Sequence, residues 1–401
     1  MTTDDPDIPV AYGTPIPPPA PTAPFVPPRP DLQQAQATMG RSSRFSLPVE
    51  ESNRIPKSSM KALESQGYTR GLAESLWRTK RMFPLRIWIV DNSGSMNTSD
   101  GHRLVESPKN DSIKFVNCTR WAEMQQTVDY HTQLAALIRS PTVFRMLNDP
   151  GAINGPQQFS IAERGDQFID EDLAIAQSTI MNSSPSGVTP LVQHLREIRS
   201  NILQLEPELR KNGTRVAVVI ATDGLPSDNR GYADASVKRE FVDALRALEG
   251  LPVWVVIKLC TDEDSVVEYY NELDSQLELS LEVLDDFVGE AQEVYEYNKW
   301  LNYGLPLHRL REMGYHDRIF DLLDERKLSK GELRDFCRIL FGDDRMDGVP
   351  DPEGDWKAFL AAVTALVNKE KKQWNPVSKK MEPWFDARRL KKAYGGGGWF
   401  R

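Results

Sequence analysis

The chain has 401 residues, with 49 Lys and Arg against 58 Asp and Glu, and a formal net charge of −9. That length holds one large folded unit plus accessory segments, and the acidic balance argues against a dedicated nucleic-acid binder. Three cysteines, Cys118, Cys260 and Cys337, lack paired spacing, which argues against a disulfide framework and for a reducing compartment.

Residues 1–30 contain 11 prolines and few aliphatic residues, too little apolar surface to fold alone. Residues 31–75 continue polar and serine-rich, so 1–75 is expected to be disordered. Within it, Pro24-Phe25-Val26-Pro27-Pro28-Arg29 has the spacing of a polyproline ligand with a basic anchor, the form that SH3-type grooves read. The start, Met1-Thr2-Thr3-Asp4-Asp5, carries neither the basic nor the apolar stretch of a secretory signal. No apolar run approaches the roughly 18 residues of a membrane span. A cytoplasmic or nuclear setting is therefore expected.

Leu85-Arg86-Ile87-Trp88-Ile89-Val90 is nearly continuous apolar sequence, as expected of a parallel strand covered on both faces. It runs into Asp91-Asn92-Ser93-Gly94-Ser95. Open α/β sheets bind ligands beyond the carboxyl ends of such strands. Two hydroxyls at alternate positions beside a carboxylate are hard oxygen donors of the kind Mg2+ takes, although a Ser- and Gly-rich turn also has this composition. A loop of about 25 residues, 92–118, is expected next, of a length that is usually functional or mobile. A helix follows at about 119–139, with Trp121, Met124, Val128, Leu134 and Ile138 on its apolar side. Short strands are expected near 142–147 and 157–162, and helices near 170–182 and 190–204. Ser186-Gly187-Val188-Thr189-Pro190-Leu191 brings a hydroxyl to the start of the second of these helices, with Pro190 suited to its first turn. Val216-Ala217-Val218-Val219-Ile220-Ala221 is a second buried strand and ends in Thr222-Asp223-Gly224. A helix at 234–249, a strand at 252–257, a helix at 262–273 capped by Thr261 with Asp264, a strand near 279–284 and a helix at 286–299 complete the alternation. Strands alternating with helices give α/β with a parallel sheet.

Asp91, Ser93, Ser95, Thr189 and Asp223, in that order, resemble the metal-ion-dependent adhesion site of von Willebrand factor type A domains. The resemblance covers about residues 80–300. It implies a Rossmann-like, doubly wound, mostly parallel sheet with helices on both faces and Mg2+ at its carboxyl end; Mn2+ or Ca2+ are alternatives. By the same resemblance Ser93, Ser95 and Thr189 touch the metal, while Asp91 and Asp223 reach it largely through water. A partner protein then supplies an Asp or Glu, and loops 92–118, 183–189 and 224–233 supply specificity. In some relatives the last helix, here 286–299, responds to metal. The function so implied is that of an intracellular protein-interaction module, a scaffold or assembly subunit, with no catalytic residue.

The alternative is a Mg2+-dependent phosphohydrolase with Asp91 as nucleophile. Such enzymes resemble Asp-x-Asp, in which the second carboxylate serves as acid/base. Here that position is Ser93, which has neither the charge nor the pKa. No P-loop pattern is present, and the five histidines, at 102, 131, 194, 308 and 316, show no metal-ligand spacing.

The stretch 262–298 carries 13 acidic residues and no basic one, read as a solvated helical face. Residues 301–368 are expected to be a small helical extension. Ser329 with Glu332 forms a capping box before Leu333–Phe341, and Asp355-Trp356 opens a further helix. Asp343–Gly348 fails as a Ca2+ loop because Arg345 and Gly354 occupy ligand positions. The tail 369–401 holds ten Lys or Arg against three acids, interleaved with Trp374, Trp384, Phe385, Tyr394 and Trp399. We read it as a docking or interaction tail in preference to a stacking surface for nucleic acid, with Trp384 and Phe385 equally placed to anchor into the folded domain, and with Gly395–Gly398 as a tether.

Overall fold

Three apolar runs build the centre of the molecule. In the computed structural model, which describes residues 45, 47, 55–107, 112–261 and 263–395, Leu85–Val90 forms β1 with every residue buried. Among the described residues two helices precede it, α1 (Lys57–Ser65) and α2 (Arg70–Met82). An antiparallel hairpin follows, β2 (Gly101–Ser107) with β3 (Ser112–Cys118). Then come α3 (Arg120–Ile138), β4 (Thr142–Met146), β5 (Gln158–Ile161), α4 (Ile169–Asn182), α5 (Leu191–Asn212) and β6 (Val216–Thr222). The alternation continues with α6 (Ala235–Arg246), β7 (Val253–Leu259), α7 (Asp264–Gln276), β8 (Leu281–Leu284) and α8 (Phe287–Tyr297). The six-stranded sheet has the order β5-β4-β1-β6-β7-β8. Every neighbouring pair in it is parallel except β4 with β5.

The two-residue period of the strands sorts their side chains onto opposite faces. Leu85, Ile87, Ile89, Val216, Val218, Ile220, Val255 and Ile257 pack with Leu195, Ile198, Phe241 and Tyr270 from α5, α6 and α7. Trp88, Val90, Val219, Ala221 and Val256 pack with Met124, Val128, Ile175 and Ile180 from α3 and α4. The protein is therefore α/β, with a mostly parallel sheet covered on both faces. Fully burying a Val, Leu or Ile side chain is worth about 1.5–3 kcal/mol, so these strands fix the register.

The remaining elements are α9 (Leu305–Glu312), α10 (Arg318–Glu325), α11 (Lys330–Phe341), α12 (Asp343–Met346), α13 (Trp356–Val367), the hairpin β9 (Gln373–Asn375) with β10 (Lys380–Glu382), and α14 (Ala387–Tyr394). The capping box of Ser329 and Glu332 is formed, and Asp355 caps α13 through the Ala358 N–H. These helices share one core with α1 and α2. Buried ionic groups fasten that core to the sheet. Lys258 on β7 lies 3.3 Å from Glu312 on α9, and His131 on α3 lies 2.7 Å from the other oxygen of Glu312. Arg86 on β1 donates to the Met313 carbonyl at 3.0 Å and to the Thr79 hydroxyl at 2.7 Å.

The structure departs from the sequence reading in four places. Residues 57–75, expected to be disordered, lie in or between helices, because Leu63, Tyr68, Leu72 and Ala73 are buried against distant segments. Gly71 packs so close to α11 that a Cβ there would lie 2.3 Å from the Gly342 nitrogen. Residues 101–107 and 112–118, expected to be loop, pair as β2 and β3. Thr261 does not cap α7; its hydroxyl accepts from the Glu263 N–H at 3.2 Å, and the helix begins at Asp264. Glu282 and Glu290 leave the expected solvated face and are buried around Arg311, with Glu282 accepting from it at 2.8 Å. In the tail, Trp384 and Phe385 take the anchoring role that the sequence left open, and Trp374 is buried with them. The polyproline segment Pro24–Arg29 and Trp399 lie outside the described residues.

Candidate metal centre

The chain order of the sheet decides where a ligand can sit. From β1 the chain moves to β4 on one side and later returns to β6 on the other. The switch point therefore lies between β1 and β6, and ligands of open α/β sheets occupy the crevice beyond such a point. Asp91 follows β1 and Asp223 follows β6, with Val90 paired to Ala221. The Asp91 N–H donates to the Ala221 carbonyl at 2.9 Å, which sets the two carboxylates side by side.

Local backbone turns bring the hydroxyls to them. One Asp91 oxygen accepts from the Ser93 N–H at 2.8 Å and the other from the Thr222 hydroxyl at 2.6 Å. The 3-10 turn Gly94–Asn97 swings Ser95 back, so that its Oγ lies 3.0 Å from Ser93 Oγ and 2.9 Å from Asp223 Oδ1. Asp91, Ser93 and Asp223 are buried, while Ser95 is exposed. Ser93, Ser95 and Asp223 thus form a continuous row of oxygens opening outward, with Asp91 beneath it.

Thr189 stands in the neighbouring loop. Its N–H donates to the Ser227 hydroxyl at 2.9 Å, and its carbonyl accepts from the Ser227 N–H at 2.9 Å. The Gly187 carbonyl, two residues before it, accepts from the Gly94 N–H at 3.1 Å. The loop is thereby stitched to the first motif, although the Thr189 hydroxyl hydrogen-bonds none of the other four residues. Pro190 stands at the cap, and α5 begins at Leu191. Asn92 fastens a third loop, accepting from the Asn148 N–H at 2.8 Å and donating to its carbonyl at 2.9 Å.

The chemistry of the donor set fits a hard cation. Neighbouring oxygens in an octahedral Mg2+ shell, with bonds of 2.0–2.1 Å, lie roughly 2.9 Å apart. The 3.0 Å spacing of the Ser93 and Ser95 hydroxyls matches that edge, and it is equally an ordinary hydrogen-bond length. Electrostatics point the same way. Burial, and then the neighbouring Asp223, push the Asp91 carboxyl up to about 6. Burial also raises Asp223, against the opposing pull of Arg120 and Ser95. Two adjacent buried carboxylates, of which Arg120 pairs with Asp223, suit a cation placed between them and the hydroxyls. Among the described residues no group of three or more His, Cys, Asp or Glu side chains gathers to hold a metal; any ion held here depends on hydroxyls.

No family model matches the chain, and no curated protein does. Among solved structures, a mutant of the PilB minor pilin from Streptococcus sanguinis is similar at 14% identity and a TM-score of 0.33. The match covers 50% of this chain and 56% of that one, so it spans little more than half of that pilin's length. A likeness this weak says nothing about the site.

Three residues at the site were not among those the sequence singled out. Thr222 precedes Asp223 and could have been noticed as a third strand-end hydroxyl. Arg120 and Asp100 carried no such signal. Arg120 Nη1 lies 3.0 Å from Asp223 Oδ2, and its Nε and Nη2 lie 2.7 and 2.6 Å from the Asp100 carboxylate. Asp100, and against burial also Asp223, make that guanidinium still harder to deprotonate.

Proposed function

We propose that the chain is a divalent-metal-dependent protein-interaction module of the von Willebrand factor type A kind, with a Rossmann-like wound sheet. In this reading Asp91, Ser93, Ser95, Thr189 and Asp223 hold Mg2+, with Mn2+ or Ca2+ as substitutes, and a partner protein presents an Asp or Glu to the ion. The observation that carries it is the row of oxygens joining Ser93, Ser95 and Asp223 at the switch point of the sheet, from segments 128 residues apart. Neutral hydroxyls on the ion, with carboxylates beside or behind them, leave it net positive and attractive to an anionic group.

The surroundings suit a partner surface. Ile153 and Tyr232, which are 98% and 64% exposed, stand on the loops after β4 and β6, at the same end of the sheet. Ser93 in place of a second aspartate leaves no acid/base group for the hydrolase alternative. We place the module inside the cell, on its cysteine usage. Among the described residues, no helix is long and apolar enough to cross a membrane.

Affinity capture on the immobilised chain tests the reading. A partner retained in Mg2+ should be released by EDTA and not retained by a folded Asp91→Ala variant. Mg2+-dependent turnover of a phosphate ester, lost in the same variant, would replace this reading with the hydrolase.

A further inference from the structure

Arg120 is 7% exposed, and burying a guanidinium costs several kcal/mol unless its partners compensate. It is also the first residue of α3, just after the cap Thr119, where a cation opposes the helix dipole. Burial and the helix start both disfavour a lone cation, and the carboxylates of Asp100 and Asp223 offset them. Arg120 splits the Asp223 carboxylate: Oδ2 takes the guanidinium at 3.0 Å, and Oδ1 takes the Ser95 hydroxyl at 2.9 Å. On its other edge it holds Asp100 with two bonds. The Asp100 side chain is 43% exposed, whereas that of Asp223 is fully buried.

We infer that Arg120 is a built-in counter-charge that weakens the site's grip on its cation and keeps the bound ion electrophilic toward an anionic partner. The inference rests on the metal-site reading above. A divalent ion beside Asp223 Oδ1 lies within one carboxylate of the guanidinium, so the two positive charges compete for the same group. Asp100 partly neutralises Arg120 and moderates that competition. A positioning role alone would have Arg120 orient Asp223 toward the ion. The two roles differ in sign: a counter-charge lowers metal affinity, whereas a positioning residue raises it.

Calorimetric titration of the full chain with MgCl2, and separately with MnCl2, distinguishes them. Arg120→Gln should bind each ion roughly tenfold more tightly than the wild type, the order expected on removing a unit charge a few ångströms away at a partly screened site. Asp100→Asn, a change at an exposed position, should bind several-fold more weakly. In urea, metal should raise the unfolding midpoint further for Arg120→Gln than for the wild type. Weaker or unchanged binding by Arg120→Gln, or unchanged or tighter binding by Asp100→Asn, overturns the inference and leaves the metal site standing. No binding of either ion by the wild type overturns the site and this inference together.

Discussion

Lys258 on β7 and Glu312 on α9 form an ion pair at 3.3 Å with both side chains almost wholly buried. Burial pushes the Glu312 carboxyl up, but Lys258, His131 and His308 outweigh it and hold it well below the usual carboxylate range. This pair joins the central sheet to the C-terminal helices. Removing one member of a buried pair typically costs 3–5 kcal/mol, because the other charge is left alone. Glu312→Gln should lower stability by about that amount in urea unfolding. Lys258→Met with Glu312→Met should recover most of the loss. A Glu312→Gln variant as stable as the wild type would show that the pair does not fasten the two parts.

Gly187 has φ +86°, and a Cβ on it would lie 2.5 Å from Asn148 Oδ1. Glycine reaches this conformation at little steric cost, and other residues do not. Gly187→Ala should displace the loop that carries Thr189 and reduce Mg2+ affinity by roughly tenfold or more, equivalent to about 1.4 kcal/mol. The fold should remain, since the loop lies outside the sheet. Titration alongside far-ultraviolet circular dichroism reads both effects.

His194 supplies a pH dependence. Burial, and then Arg145, lower its pKa to about 4, and its Nε2 lies 3.0 Å from the Leu147 carbonyl. The folded protein therefore keeps it neutral while the unfolded chain titrates near 6.5. Between those values the unfolded state binds more protons, so this contribution is complete above about pH 6.5 and is lost as pH falls toward 4. The stability of the wild type relative to His194→Gln should fall by about 2 kcal/mol between pH 7 and pH 4.5. A difference constant across that range would show that His194 accepts its proton in the fold.

The sequence carried the sheet well because β1, β6 and β7 are apolar on both faces, a pattern independent of distant partners. Asp91 and Asp223 were legible as strand-end residues for the same reason. Elements stabilised by remote contacts were not. Leu63, Tyr68 and Leu72 look like isolated apolar residues in a polar stretch until segments far along the chain, Tyr130 and α11 among them, share a core with them. His102 to Glu106 reads as loop because the strand pairs only with its own hairpin partner, away from the main sheet. Arg120 met Asp223 across 103 residues, and nothing near Thr119 in the chain announces that encounter.

The central claim, a cation held by hydroxyls at the β1/β6 switch point, is tested most directly at Ser95. Its side chain is exposed and bridges Ser93 and Asp223, so Ser95→Ala should leave the fold intact. Titration of the full chain with Mg2+ should show a single site in the wild type, with affinity at least roughly tenfold weaker, about 1.4 kcal/mol, in Ser95→Ala. Their metal-free stabilities in urea should differ by no more than the roughly 1–3 kcal/mol of one lost hydrogen bond. No Mg2+ binding by the wild type, or equal binding by Ser95→Ala, would contradict the account.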